Sequence, residues 1–417
     1  MGQLRNQMES LRTSPFARNA GWMLVGQGFG ILLQAGYFVL LARLLGVKEY
    51  GVFVGAFAFV GIVMPYSTLG SGTVFMRYVG AQPGTFAAYW GNILLSTIAG
   101  GTVLTGILCV LAPHLLNPAS ASIVFLVAIG NCVFGQLVAS MGQVFQTFEV
   151  LRMTAVLNLL TNGLRLLAVG IMTVLLPRTS ALQWAVASVF ISLLAAIVGF
   201  LVVSGRFGLP RLVPKMLFSN ALEGLGFSLG GSAQSIYNDI DKTMLSHYDM
   251  NLQNGIYTMA YRIVDVATIP ITAMDAAALP RYFRDSGKDV RSVPPLAFRL
   301  AMRASLIGLL VSACLFIAAP LIPHLVGGGF TESILALRWL CLLPAMRGIH
   351  QLTGSAITGM GFQHFRTVIQ FSAAVLNLAL NLWLIPRYGW IGAAWTSLAT
   401  DGSLGVVNWL VLRRLSK

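Results

Sequence analysis

Residues 38–78 read FVLLARLLGVKEYGVFVGAFAFVGIVMPYSTLGSGTVFMRY. Two apolar runs flank a short charged turn at Arg43, Lys48 and Glu49, and the second run passes Pro65 and a Leu-Gly-Ser-Gly stretch before Arg77. A run of about 20 apolar residues is what a helix needs to cross bilayer hydrocarbon. Windows of that length recur along the chain and predict about twelve spanning helices. They lie near 18–42, 50–75, 87–112, 120–147, 154–176, 181–204, 217–246, 252–278, 297–322, 332–358, 366–385 and 391–412. Pro113, Pro118, Pro177, Pro210, Pro214, Pro294, Pro295 and Pro386 punctuate the gaps, where helices are expected to stop. The fold class that follows is all-α, a polytopic membrane protein.

Composition leads to the same class. Of 417 residues, 56% are hydrophobic and 10% charged, and mean hydropathy is +0.78, whereas a soluble domain carries about 25% charged residues. The net charge is 27 − 13 = +14. The basic residues fall mainly in short gaps between apolar runs, with no basic helix or aromatic platform, so the excess reads as membrane orientation and not as nucleic-acid binding. With the N-terminus inside, one side collects Arg77, Arg152, Arg206, Arg211, Lys215, Arg281, Arg284, Lys288, Arg291, Arg413 and Arg414 among others, and the other side only Arg43, Lys48, Arg178 and Arg387. Both termini are therefore expected in the cytoplasm. Residues 1–17 hold no short apolar core followed by a small-residue cleavage site, so the first spanning helix is expected to act as the targeting signal. Cys109, Cys132, Cys314 and Cys341 all lie inside apolar runs without metal-ligand spacing, His114 and His324 sit in outside loops, and Gly327–Gly329 has no following Lys-Ser/Thr. No metal, cofactor or phosphate-loop site is expected.

The two halves resemble each other. Gly51, Phe53, Pro65, Arg77 and Tyr78 are echoed by Gly255, Tyr257, Pro270, Arg281 and Tyr282, and Phe145-Gln146-Thr147-Phe148 by Phe362-Gln363-His364-Phe365. Val156-Leu157-Asn158 recurs as Val375-Leu376-Asn377. Six helices per half make the repeat parallel, dividing the chain into lobes 1–212 and 213–417 that are related by a pseudo-two-fold axis. Such a repeat suggests a transporter whose lobes rock about a central cavity.

Polar side chains in the predicted helices fall in stripes. Asn158, Thr161, Asn162 and Arg165 recur at helical spacing in the fifth. Ser228, Ser232, Ser235, Asp239 and Lys242 do so in the seventh, beside Gln234, Asn238 and Asp241. Thr258, Arg262, Asp265 and Thr272 share a face of the eighth, and Arg347, Gln351, Ser355 and Thr358 one of the tenth, with Arg338 further out. Gln27 and Gln34 lie in the first, Asn377 and Asn381 in the eleventh. Ionisable groups inside a membrane usually face a bundle interior or a watery cavity. One reading makes Arg165, Arg262, Arg338 and Arg347 a cationic site for an anionic head such as a pyrophosphate, which guanidinium groups bind by paired hydrogen bonds. Asn158, Asn162, Gln27, Gln34, Gln234, Asn238, Gln351, Asn377 and Asn381 would then meet sugar hydroxyls. The competing reading pairs Arg262 with Asp265 and Lys242 with Asp239 within their helices and spends the amides on helix–helix bonds. Glu223, Asp239, Asp241, Asp265, Asp275 and Asp401 are candidates for proton or sodium coupling, or for counter-ions, with the first four the main coupling set.

The stretch 38–78, with its Ala-Arg-Leu-Leu-Gly turn, Glu-Tyr-Gly helix start and Leu-Gly-x-Gly before Arg77, resembles the N-terminal signature of polysaccharide-transporter flippases, a branch of the multidrug/oligosaccharidyl-lipid/polysaccharide exporter superfamily. Residues 376–401, with Asn377, Asn381, Pro386, Gly389, Gly392 and Ala393-Ala394, resemble the family's final helix pair. The resemblance implies flipping of undecaprenyl-pyrophosphate-linked oligosaccharide from the cytoplasmic to the periplasmic leaflet of a bacterial inner membrane, for O-antigen, capsule or exopolysaccharide assembly. It implies a V-shaped, two-lobed fold with a cationic cavity. Membrane lipid, the lipid-linked oligosaccharide, a polysaccharide polymerase and a chain-length regulator would be the partners, with no enzymatic activity. The family's cavity residues vary, so no residue role is carried over by position. Two alternatives compete. A cation-coupled multidrug antiporter of the same superfamily would favour acids in the N-terminal half, where helices one to six bury none. A membrane glycosyltransferase or polymerase would need a large outside loop, and the longest inter-helix segment, near 279–296, is basic and cytoplasmic.

Overall fold

The computed structural model describes residues 15–176 and 178–415, with side chains for all of these except 15–27, 218–220, 222, 226, 227 and 229–234. Every regular element among the described residues is a helix. The principal ones are α1 (Pro15–Val63), α2 (Ser71–Ala81), α3 (Phe86–Leu115), α4 (Val124–Thr147), α5 (Leu151–Leu175), α6 (Ala181–Phe207) and α7 (Pro214–His247). They continue as α8 (Asn251–Ala267), α9 (Ile269–Ser286), α10 (Val293–Ala318), α11 (Ser333–Leu340), α12 (Leu343–Gly359), α13 (Gln363–Tyr388) and α14 (Trp390–Leu415).

The helices depart from the expected segments where glycine or proline dictates. The break expected between the first two helices falls at Gly46, whose φ of 69° suits a residue without Cβ, and the chain turns helical again directly after it. The expected helix 252–278 bends by 46° between α8 and α9, where Pro270 lies in the first turn of α9 and has no N–H to give the preceding turn. The expected helix 332–358 breaks after α11, and α12 starts afresh with Pro344 in its first turn. Within α4, residues Ile129–Gly135 widen into a π-helical turn. Among the described residues seven helices are long and apolar enough to span a membrane, and the bent pair makes an eighth. That is fewer than the twelve expected: residues Gly28–Ala81 count as one span, α11 and α12 are only 8 and 17 residues long, and polar groups lower the hydropathy of α7 and α14.

By packing, the chain forms two compact units, Met1–Leu45 with Val60–Ser232, and Gly46–Phe59 with Ala233–Lys417. The repeat boundary at 212/213 expresses sequence equivalence and these units express contact, so the two divisions differ.

In the first unit an aromatic core gathers Phe75, Phe86, Trp90, Phe145 and the partly buried Phe148 and Phe207. The Trp90 indole N–H donates to Ser204 Oγ at 3.1 Å. α3 turns Asn92, Ser96, Thr97, Gly101 and Thr105 inward and Val103, Ile107 and Val110 outward. That inversion of the soluble pattern is how membrane helices pack, with small residues between backbones and large apolar ones toward lipid. The Leu-Gly-Ser-Gly stretch is a backbone crossing: a Cβ on Gly70 (φ 64°) would lie 2.1 Å from the carbonyl oxygen of Gly224. In the second unit, Gly51 and Gly255, equivalent in the repeat, meet in the same way. A Cβ on Gly51 would fall 1.7 Å from the Asn251 carbonyl oxygen, and one on Gly255 2.1 Å from that of Val47. α10 crosses α12 through Gly308 and Gly348, which leaves α12 almost wholly buried.

Candidate functional site

The second unit holds a continuous buried network of ionisable groups. On α8, Tyr257, Tyr261 and Asp265 follow at four-residue spacing and so share one face. The Tyr257 hydroxyl donates to Asp241 of α7, and its oxygen lies 2.9 Å from Ser397 Oγ of α14. Lys242 Nζ stands 3.3 Å from both Asp239 and Asp241, donates to the Asn238 carbonyl, and lies 4.3 Å above the Tyr261 ring centre. Arg347 of α12 uses all three guanidinium nitrogens. Nη1 donates to Asp265 Oδ1 at 2.9 Å, Nη2 to the Tyr261 hydroxyl at 2.8 Å, and Nε lies 3.5 Å from Asp401 Oδ2. Asp401 of α14 is 1% exposed, and its other oxygen lies 3.6 Å from His350 Nε2. Arg262 reaches Asp265 from its own helix at 3.8 Å. Among the described residues, four acids (Asp239, Asp241, Asp265, Asp401) thus meet three fixed cations (Lys242, Arg262, Arg347) and the imidazole of His350.

In the first unit, α5 presents Asn158 exposed and Thr161, Asn162 and Arg165 half-buried. Asn162 lies against Gly30 of α1, 3.8 Å from where a Cβ would stand. Arg165, near the middle of α5, makes no ion pair with any described residue. A guanidinium at that depth needs water or an anion beside it.

The other sequence candidates spread out. Arg338 is exposed on α11, with its guanidinium 4.9 Å from the Phe316 ring centre and outside the network. Asn377 and Asn381 are buried on α13, where Asn377 donates to Thr400 of α14 at 3.2 Å and so ties the two helices, while Asn381 donates to Asn377 at 2.8 Å within α13. Glu223 accepts from Arg77 at 2.7 Å and from Tyr78 at 3.1 Å in the first unit. Gln34 is exposed, Asn238 and Gln351 are half-buried, and the side chains of Gln27 and Gln234 lie outside the described residues. Lys242 pairs with Asp239 within α7, yet equally with Asp241; Asp265 is nearer to Arg347 than to its helical neighbour Arg262. The candidate set omits Tyr257, Tyr261, His350 and Ser397, while Asp401, one of the candidate acids, is joined to Arg347. The tyrosines carried a signal in their four-residue spacing with Asp265, and His350 in lying one turn from Arg347.

Comparison with known proteins bears on this geometry in three ways. The family described as polysaccharide biosynthesis protein matches residues 16–284. An uncharacterized membrane protein of Methanocaldococcus jannaschii is 23% identical over 411 residues, covering 91% of this chain and 94% of that protein. Among solved structures, the inward-facing conformation of a multidrug resistance MATE family transporter of the MOP superfamily superposes with a TM-score of 0.70 at 17% identity, over 93% of this chain and 94% of that one. The outward-facing conformation of such a transporter gives 0.57 at 16% identity, over 97% of both chains. At these identities the likeness is one of fold: the chain has the helical fold of MOP-superfamily transporters.

Proposed function

The chain belongs to the polysaccharide biosynthesis protein family, and on that footing we propose that this multi-pass membrane protein flips undecaprenyl-pyrophosphate-linked oligosaccharide from the cytoplasmic to the periplasmic leaflet of a bacterial inner membrane by alternating access. The observation that carries the reading is Arg165, a cation held near mid-helix in a polar stripe without a described counter-ion. An anionic head supplies what that site lacks, and a guanidinium keeps its charge throughout the cycle. Arg262 offers a second partly accessible cation, its side chain 24% exposed. Coupling falls to the acid-rich network of the second unit, where Arg347 is shared between Asp265 and Asp401. Protonation of either acid, or a bound sodium ion, would change which one holds the guanidinium. The termini are cytoplasmic in this proposal, and a polymerase and chain-length regulator receive the product for O-antigen, capsule or exopolysaccharide.

The test is the leaflet sidedness of the lipid-linked glycan with and without the protein. Arg165→Ala and Arg262→Ala should each lower flipping, with partial return on Arg→Lys; full activity in both Ala variants would sink the reading. A cation-coupled export of small molecules is the second reading, favoured by the MATE transporter fold and by the acids gathered around Lys242 and Arg347. In that case proton- or sodium-driven efflux would depend on Asp265 and Asp401, while glycan sidedness would not change.

A further inference from the structure

An apolar groove in the second unit opens between α10 and α14, with α12 beneath it. Its volume is about 280 Å³, and its walls include Phe298 and Met302 of α10 and Val406 and Leu410 of α14. These four side chains are 44–60% exposed, so the groove gives onto the surface and not into the core. Small residues keep its floor open: Ala301, Gly402 and Gly405 line it, and a Cβ on Gly402 would meet nothing within 4 Å. The polar residues of the lining are Thr353 and Asp401, both 1% exposed, and Asp401 spends its carboxylate on Arg347 and His350. The groove therefore offers an occupant only apolar surface. An apolar cavity of about 150 Å³ already holds a benzene ring, so there is room here for a length of hydrocarbon chain.

One end of the groove is charged. The start of α10 and the end of α14 lie at the same level, because the Phe298 and Trp409 ring centres are 5.2 Å apart. Trp409 lines the groove, and the Arg413 guanidinium lies 5.9 Å from its ring centre. Arg299 follows Phe298, Arg414 follows Arg413, and all three arginines are exposed. Of the acids just before α10, Asp285 is paired with Arg281 and Arg284, and Asp289 accepts from the Arg291 N–H at 3.0 Å. The mouth is thus basic. It is also the end that the Lys and Arg asymmetry predicts to be cytoplasmic, with a tryptophan at the level where interfacial belts place one.

We infer that the groove is a site for one anionic phospholipid of the cytoplasmic leaflet, with an acyl chain between α10 and α14 and the phosphate against Arg299 and Arg413. Basic pockets between helices on that side of a membrane suit such headgroups, and guanidinium groups pair with phosphate oxygens. A zwitterionic lipid fits the groove equally but gains less at the mouth. A second copy of this chain is disfavoured, because two copies meeting symmetrically there would bring Arg299, Arg413 and Arg414 against their own equivalents. The site goes beyond the flippase reading and does not depend on what is transported.

The experiment strips the full chain of lipid in detergent and follows lipid retention by native mass spectrometry. Its probes are phosphatidylglycerol, phosphatidylcholine with the same acyl chains, and a polyprenyl phosphate. Phosphatidylglycerol should be retained more tightly than phosphatidylcholine. Arg413→Gln should weaken it about fivefold, as expected for one basic residue at a lipid surface, and adding Arg299→Gln should weaken it further. Phosphatidylcholine should stay nearly unchanged in both. Gly402→Leu, which fills the floor, should weaken both phospholipids. Val406→Trp narrows the groove from its exposed wall and serves if size exclusion and melting curves show that Gly402→Leu does not fold. Equal retention of the two phospholipids, or phosphatidylglycerol held normally by the double arginine variant, overturns the proposal. Loss in the arginine variants without loss in a groove-filling variant also overturns it, since headgroup attraction alone would then suffice. Displacement of phosphatidylglycerol by an equal concentration of polyprenyl phosphate would give the groove to a lipid carrier and overturn it likewise.

Discussion

Arg347 shows how one side chain can organise a membrane-buried site. Its guanidinium meets Asp265, Tyr261 and Asp401, which come from two other helices, and a planar fork with five donors can serve all three where an ammonium could not. Removing it leaves two acids without their principal counter-charge, and breaking a buried pair typically costs about 3–5 kcal/mol. Arg347→Ala is therefore expected to lower thermal stability in detergent by a loss of that order, and Arg347→Lys by less. Asp401→Asn, which removes charge while keeping shape, should partly rescue Arg347→Ala by reducing the unbalanced charge. Equal melting curves for the wild type and Arg347→Ala would show that the cluster adds nothing to stability. The presence of these acids and of Arg347 was legible in the sequence, but their pairing was not. Asp265 stands three residues from Arg262 at 3.8 Å, yet it bonds at 2.9 Å to an arginine 82 positions away.

At the scale of elements, the glycines that recur in the repeat are where helices cross. Gly51 and Gly255 bring the backbone after Gly46 against α8 so closely that no side chain fits between them. Gly51→Ala would place a methyl group 1.7 Å from a carbonyl oxygen, and forcing the helices apart should destabilise the protein by about 1–3 kcal/mol. Gly163 of α5 is the control. Its Cβ would meet nothing within 4 Å, so Gly163→Ala should be neutral or up to about 1 kcal/mol stabilising through helix propensity. Thermal unfolding of the two variants side by side checks this; similar melting points would mean that the crossing is soft. The spacing of Gly51 and Gly255 is a sequence-level signal of equivalence. That equivalent glycines touch in space is a tertiary fact, because periodicity tells which face a residue occupies and not which helix faces it. The bend at Pro270 was readable in principle, since a proline beside a long apolar run announces a break. The break at Gly46 lies in the charged turn between the first two expected helices, and only its sharpness, one residue at φ 69°, escapes composition.

For the molecule as a whole, the asymmetry of Lys and Arg predicts sidedness directly. In a chain whose native cysteines are replaced, Leu209→Cys and Gly328→Cys, in exposed segments after α6 and before α11, should react with an impermeant maleimide from opposite sides, Gly328→Cys from outside. Labelling of both from the same side would overturn the expected topology. The sequence by itself determined the solvent, the helical class, the family resemblance and the stripes of buried polarity, because each rests on composition, on local periodicity or on motifs read along the chain. Tertiary structure alone decided which charges are shared, that Arg347 of α12 meets acids from α8 and α14, and that Asn377 of α13 bonds to Thr400 of α14. Hydrogen bonds and ion pairs reach only a few ångströms, so which groups they join depends on which helices pack together, and no single helix encodes its neighbours.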